Sequence, residues 1–179
     1  MTNDTPEIMW AGKYITAKRI GPWEFVSRSR GIRAAVILAI EESKDGPHII
    51  LVDQYRVPLG KRCIELPAGL VGDEEGSEGE DARVAAIREL EEETGYRATE
   101  MKDLGEFYSS PGMVSESFSL FRAEGMARMH DGGGIEGEDI TVHRVPMAGI
   151  ADYIRDRRVE GYAIDVKLLT ALGAAMVAG

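Results

Sequence analysis

Five glutamates fall within fourteen residues of EDARVAAIRELEEETGY (residues 80–96): Glu80, Glu89, Glu91, Glu92 and Glu93. Wound as an α-helix, Glu89 stands i,i+3 from Glu92 and i,i+4 from Glu93, so these carboxylates project toward a common side. Like charges at that spacing repel one another and weaken a helix. Two compensations are open. One is water over a solvated acidic face. The other is a hard divalent cation such as Mg²⁺, which takes oxygen ligands and leaves positions for water or phosphate. Arg88 sits inside the cluster, where a guanidinium can hold neighbouring carboxylates through paired hydrogen bonds. Glycines bracket the stretch on both sides, suggesting a shaped loop–helix–turn around the acidic face.

Such a helix needs a frame to hold it. Val84, Ile87, Arg88 and Glu91 follow one flank, with Ala86 and Leu90 beside them, and Gly95 supplies the stop. Upstream, residues 1–9 read as a loose tail. Residues 10–20 and 23–28 flank the turn Gly21-Pro22 and read as a small hairpin, an appendage with little core of its own. Residues 31–40 (GIRAAVILAI) and 49–55 (IILVDQY) are apolar strands joined through Asp45-Gly46. A short extended CIEL (63–66) then meets Pro67 and Gly69, and a glycine-rich acidic loop (69–80) leads into the helix. Downstream, residues 99–109, 117–123 and 140–145 read as strands. Residues 125–139, with Gly132, Gly133 and Gly134, read as a polar, flexible loop. A helical stretch follows Pro146, and residues 162–177 read as a final helix packing Ile164, Leu168, Leu169 and Leu172. Several strands, one central charged helix and one or two C-terminal helices predict a mixed sheet between helical layers.

Composition narrows the function. The 179 residues carry a net charge of -10 and no basic block, which argues against nucleic acid and anionic membranes as partners. No basic-then-apolar leader opens the chain, and the apolar run at 168–179 is too short to span a bilayer, so cytoplasm is the expected compartment. One cysteine, Cys63, forms no intramolecular disulfide and no Cys/His metal cluster. Cys63 reads as a packed residue. His48, His130 and His143 are scattered without HExxH spacing and read as surface or edge residues. Ser109-Ser110 has no histidine partner in sequence that would make a nucleophile.

The residues from Gly69 to Tyr96 resemble the signature of the Nudix hydrolases: a glycine, five residues, Glu, seven residues, then Arg-Glu-aliphatic-x-Glu-Glu-x-Gly-aliphatic. Seven residues separate Glu80 from Arg88 and RELEEETG follows, with Tyr96 replacing the final aliphatic residue. The front half departs. Glu74 stands where the glycine belongs, and Gly69 precedes Glu80 by ten intervening residues, which implies a five-residue insertion in the loop. The resemblance implies a Nudix-type α/β/α sandwich over residues 31–179, with residues 1–30 as an N-terminal appendage for dimerisation and base binding. It also implies Mg²⁺, or Mn²⁺ in its place, held by Glu89, Glu92 and Glu93 with help from Glu80. Arg88 would orient these carboxylates, and Glu93 would belong to the catalytic group.

Flanking segments resemble one branch, the ADP-ribose pyrophosphatases and related nucleotide-sugar hydrolases. They are VDQYRVPLGKRCIELPAGL, SSPGMVSE with Pro111 sixteen residues after Gly95, and WEFVSR. This likeness implies a metal-binding carbonyl at Ala68, Arg56 facing a diphosphate, and Glu116 at the edge of substrate or metal. It implies Trp23 stacked on a base with Glu24 and Arg28 nearby, and Tyr14 closing the other face in a homodimer that shares its N-terminal strands. The base would come from the loop IEGEDI, with Glu136 ranked ahead of Glu138. The expected reaction is hydrolysis of ADP-ribose to AMP and ribose 5-phosphate. The alternative is a broader nucleoside diphosphate sugar pyrophosphatase, for example one taking a GDP-hexose. A non-catalytic nucleotide-binding module is a further alternative; loss of Glu89, Glu92 or Glu93 would have marked it, and all three are present.

Overall fold

The computed structural model describes residues 5–29, 33–72, 80–135 and 137–177, the side chains of 174–177 excepted. Glu136 and residues 73–79, where the inserted part of the acidic loop is expected, lie outside the described residues. In chain order the elements are β1 Glu7–Ala11, β2 Ile15–Ile20, β3 Trp23–Arg28, β4 Arg33–Glu41, β5 His48–Arg56, β6 Lys61–Glu65, β7 Ala68–Val71, α1 Ala82–Thr94, β8 Tyr96–Arg97, β9 Glu100–Tyr108, β10 Ser117–Glu124, β11 Ala127–Arg128, β12 Thr141–Pro146, α2 Ile150–Val159, β13 Ala163–Ile164 and α3 Val166–Val177.

The chain folds as the expected α/β/α sandwich, and the apolar run of β4 shows why. Successive residues of a strand face opposite sides of its sheet. Ala35, Ile37 and Ala39 pack with Ala86 and Leu90 of α1 on one side. Val36 and Leu38 pack with Ile154 of α2 and Leu168 and Ala171 of α3 on the other. A strand buried on both faces reads as continuously apolar, and each fully buried Ile or Leu contributes about 2 kcal/mol relative to exposure. The sheet is mixed: β4 runs parallel to β10, β6 runs parallel to β13, and the remaining pairs are antiparallel.

One edge of β4 serves two partners. Arg33–Val36 pairs with β7, whereas Ile40 and Glu41 pair with β5. Between them Ile37 N–H donates to the Pro67 carbonyl. The sheet therefore splits along β4, and the split places Ala68 and Gly69 against the C-terminal half of α1.

Several elements differ from expectation. The N-terminal unit is a three-stranded sheet, β1-β2-β3, so the expected tail contributes Glu7, Ile8 and Met9 to a strand. The reason is a turn at Gly12. The Trp10 ring folds over it so closely that a Cβ there would lie 2.3 Å from the ring. This sheet joins the main body through Val26, whose N–H donates to Met113 O and whose carbonyl accepts from Ser115 N–H. The last helix begins at Val166 and not at residue 162, because Ala163 and Ile164 pair with β6 and Asp165 accepts from the Lys167 amide at the helix start. Leu169 is exposed, and Ala171 takes the packed position instead. No described helix is long and apolar enough to cross a membrane.

Candidate active site

Helix α1 opens with Asp81, whose carboxylate accepts the Arg83 N–H, and closes at Gly95 with φ 75°. Its buried face is modest: Ala85, Ala86 and Leu90, with Glu93 and Thr94. The shortfall is met from residues 129–134. Gly133 N–H donates to Glu93 O and Gly134 N–H to Glu92 O, which satisfies two carbonyls that a helix end leaves without intrahelical partners. A Cβ at Gly132 would lie 2.4 Å from the Thr94 carbonyl carbon, and one at Gly95 would lie 2.1 Å from His130 O. The triple glycine is thus a docking surface for the end of α1, a packing role that the reading as a polar, flexible loop did not include. Glycine was needed for close approach and positive φ, and composition does not separate that need from mobility.

The carboxylates differ in their surroundings. Glu93 is 5% exposed, and its carboxylate accepts the Ala68 N–H at 3.0 Å. Burial, reinforced by the charges of Glu89, Glu138 and Glu65, pushes its pKa up to about 8. Glu89 packs on Gly69 so tightly that a Cβ there would sit 1.9 Å from its carboxyl carbon. Arg88 Nη1 reaches Glu89 at 2.9 Å and Glu92 at 3.1 Å, and Arg88 Nη2 lies 3.8 Å from Glu80. Glu80 also accepts the Gly72 N–H. One guanidinium thus gathers three of the sequence-predicted acids, while the fourth faces Ala68.

Ala68 and Gly69 form part of the wall of a cleft of about 320 Å³. Arg28, Arg56 and Lys167 line it, with Glu65, Ser109 and Glu116. Each cation is tethered. Arg56 pairs bidentately with Glu65 at 2.6 and 2.7 Å, Arg28 meets Glu116 at 2.5 Å, and Lys167 pairs with Asp165. Arg56 therefore faces the cleft through a partner that sequence reading missed, as it also missed Lys167 and Ser109. The available signal for Glu65 was a lone acid in the apolar run CIEL, which burial without a cation would penalise. The Cys63 thiol is buried, and burial with Glu65 nearby raises its pKa to about 12, so it stays protonated and is no nucleophile.

Glu138 follows the glycine run. Its carboxylate accepts the Ile135 N–H at 3.0 Å, and its own N–H donates to Ile135 O. It stands near enough to Glu93 to help raise that residue's pKa. One of the expected surface or edge histidines is corrected: His48 is buried, with Nδ1 2.9 Å from Gly46 O, whereas His143 is half-buried on the edge strand β12, with Nε2 2.5 Å from buried Asp53. Their strand registers place both where β5 and β12 pair.

The base-binding residues are not brought together within one chain. Trp23, 62% exposed, lies with Phe25, Pro111 and Val114 around a separate apolar hollow. Tyr14 precedes Ile15, which pairs with Arg28, whereas Trp23 pairs with Ile20 at the other end of the sheet. Five residues of strand put roughly 17 Å between those ends. Lys13 Nζ already stands 4.9 Å from the Tyr14 ring centroid. Glu24 is exposed and pairs in register with Arg19.

The described residues thus set a carboxylate-rich helix on a split mixed sheet beside a cleft lined by cations. The NUDIX domain family model matches residues 31–148, and the chain belongs to the Nudix family. It is 38% identical over 126 residues to the methanol dehydrogenase activator of Bacillus methanolicus, covering 70% of this chain and 63% of that protein. It is 34% identical over 126 residues to the ADP-ribose pyrophosphatase of Bacillus subtilis, again 70% and 63%. With the GDP-mannose pyrophosphatase of Cronobacter sakazakii it shares 36% over 152 residues, 80% and 72%. Against the first and second of these proteins, the chain spans less than two thirds of their length. A solved structure of an ADP compounds hydrolase shares the fold, with TM-score 0.64 and 21% identity over 84% of this chain and 80% of that one.

The residues suit the divalent cation that the family implies. The donors are hard oxygens, burial disfavours the charged form of Glu93, and the missing Cβ of Gly69 lets the Glu89 carboxyl lie against the backbone beside it. Among the described residues no three Asp, Glu, His or Cys side chains form a finished cage, and Arg88 is the counter-charge for Glu89 and Glu92.

Proposed function

We propose that this protein hydrolyses the diphosphate bond of nucleoside diphosphate sugars with Mg²⁺, or Mn²⁺ in its place, as cofactor. The observation that carries the reading is Glu89 and Glu93 seated on Gly69 and Ala68 at the wall of a cleft lined by Arg28, Arg56 and Lys167. Relatives named for ADP-ribose and for GDP-mannose match at similar identity, so the broad nucleotide-sugar reading replaces ADP-ribose alone, which stays within it as one substrate.

Glu89, Glu92 and Glu93, with Glu80 and the Ala68 carbonyl, are the groups that would hold the cation. When bound, it neutralises diphosphate charge, polarises phosphorus and lowers the pKa of water. Arg56 and Arg28, fixed by Glu65 and Glu116, would bind diphosphate oxygens without having to be ordered first. Water adds to phosphorus, the bridging P–O bond breaks, and a nucleoside monophosphate and a sugar phosphate leave. Glu138, whose charge acts on Glu93, would take the water's proton; Glu136 is the other candidate.

The N-terminal sheet supports a homodimer. Every residue of β1 is exposed, including Ile8, Met9 and Trp10, so a hydrophobic strand lies open on both faces. A second copy would cover it and bring its Tyr14 toward a Trp23.

The test is a panel of ADP-ribose, GDP-mannose and UDP-glucose incubated with and without Mg²⁺, with products resolved by chromatography. The expected result is Mg²⁺-dependent release of nucleoside monophosphate from more than one member. Release from none of them overturns the reading.

A further inference from the structure

A polar cluster on the far side of the sheet is unexplained by the site described so far. Asp53 of β5 is 2% exposed, in a protein whose other acids mostly face water. It accepts from Arg62 Nε of β6 and sits 2.5 Å from His143 Nε2 of β12. Arg62 Nη2 also donates to the Asp53 carbonyl. A buried carboxylate at the meeting of three strands thus fixes one edge of the Arg62 guanidinium.

The other edge points at a different target. Nη1 donates to Asp139 Oδ2 at 2.6 Å, and Nη2 donates to Asp139 O at 3.1 Å and Thr141 Oγ1 at 3.2 Å. Asp139 is the residue after Glu138. On the other side of Glu138, Gly133 and Gly134 are bonded to the end of α1. The chain that carries Glu138 is consequently anchored twice, to the acidic helix by backbone amides and to the sheet by Arg62.

We propose that Arg62 is a positioning residue: held by buried Asp53, which also bonds His143, it clamps Asp139 and so sets Glu138 against the carboxylates of α1. The inference rests on the nucleotide-sugar reading for its catalytic part. Asp139 is 79% exposed, and an exposed ion pair by itself adds little to stability. What Arg62 adds is direction. A planar guanidinium engaging a carboxylate, a main-chain carbonyl and a hydroxyl at once leaves the segment little freedom.

The experiment uses the full chain and two readouts, one of which needs no substrate. Asp139→Ala removes the charged arm of the clamp at an exposed side chain and leaves the bonds among Asp53, Arg62 and His143 intact. It therefore still reports if Arg62→Gln fails to fold. Hydrogen exchange at the Ile135 and Glu138 amides should speed up in both variants while α1 stays protected. On a nucleoside diphosphate sugar that the wild type hydrolyses, kcat should fall about 10- to 100-fold, the cost of a small misplacement. KM and the Mg²⁺ concentration for half-maximal rate should stay within about twofold, because the diphosphate and cation residues are untouched. Arg62→Lys, which keeps charge without the fork, should recover only part of kcat. Asp131→Ala, a change at an exposed residue in the same loop region, should match wild type. Unchanged exchange at Ile135 and Glu138 overturns the clamp whatever the activity. Faster exchange with unchanged kcat overturns its role in the reaction. A wild type inert toward every nucleotide sugar counts against the proposed function, and exchange still decides the clamp.

Discussion

At the scale of single residues, Glu93 concentrates the conflict between folding and chemistry. It lies on a helix face that must pack, yet the proposed reaction calls for its charge. In the metal-free protein its pKa rises from an ordinary 4.5 to about 8, mainly through burial. Between those values the folded chain keeps a proton on Glu93 that the unfolded chain has lost. Metal-free stability is therefore greatest below about pH 4.5 as far as this group is concerned, and falls as pH rises toward 8. Thermal melts in a chelator should show that decline, Mg²⁺ should flatten it, and Glu93→Gln should remove it. The same variant should lower turnover by about 100-fold or more if the carboxylate supports the cation in the transition state. A Glu93→Gln protein that hydrolyses normally would remove this residue from the catalytic group. Gln keeps an oxygen for the Ala68 N–H, so the comparison isolates charge from packing.

At the scale of elements, α1 depends on a segment forty residues later in the chain. Its apolar face is small, and two backbone hydrogen bonds from Gly133 and Gly134, each worth about 1 kcal/mol net, are comparable with burial of one leucine. Gly132→Ala would force a Cβ into the Thr94 backbone at φ 72°, where only glycine is comfortable. It should destabilise the fold by about 2–4 kcal/mol, measured by urea titration, with exchange rising at the last turn of α1. A stability equal to wild type would mean that this docking is dispensable. The acids, Arg88 and the Gly95 stop were legible as a pattern because they are close in sequence. The role of Gly132–Gly134 was not, since a turn, a hinge and a close contact all ask for glycine.

At the scale of the whole molecule, the open question is how distant parts share one substrate. Tyr14 and Trp23 stand at opposite ends of the N-terminal sheet, so a stack using both needs two chains. Tyr14→Ala and Trp23→Ala should each weaken substrate binding about 10- to 100-fold, the usual worth of a base–aromatic contact. Mixing the two variants under conditions that exchange subunits should restore about one quarter of sites, because half the dimers are mixed and each holds one intact pair. Recovery of activity at low substrate would show the shared site. No recovery, with exchange verified, would show that the base is read within one chain.

The sequence by itself determined the layered α/β fold, the acidic helix and its arginine, because these follow from periodicities and spacings over a few turns of chain. It also carried the family, through the residues from Glu80 to Gly95. Tertiary structure decided the rest. It paired Arg56 with Glu65, buried Asp53 under Arg62 and His143, put Lys167 in the cleft, and kept Tyr14 apart from Trp23. Each of these depends on strand register and on which elements meet across the sheet, and such meetings join residues nine to ninety positions apart. A charged residue costs free energy wherever it is buried. The sequence shows that the charge is there, and only the fold shows which distant partner offsets it.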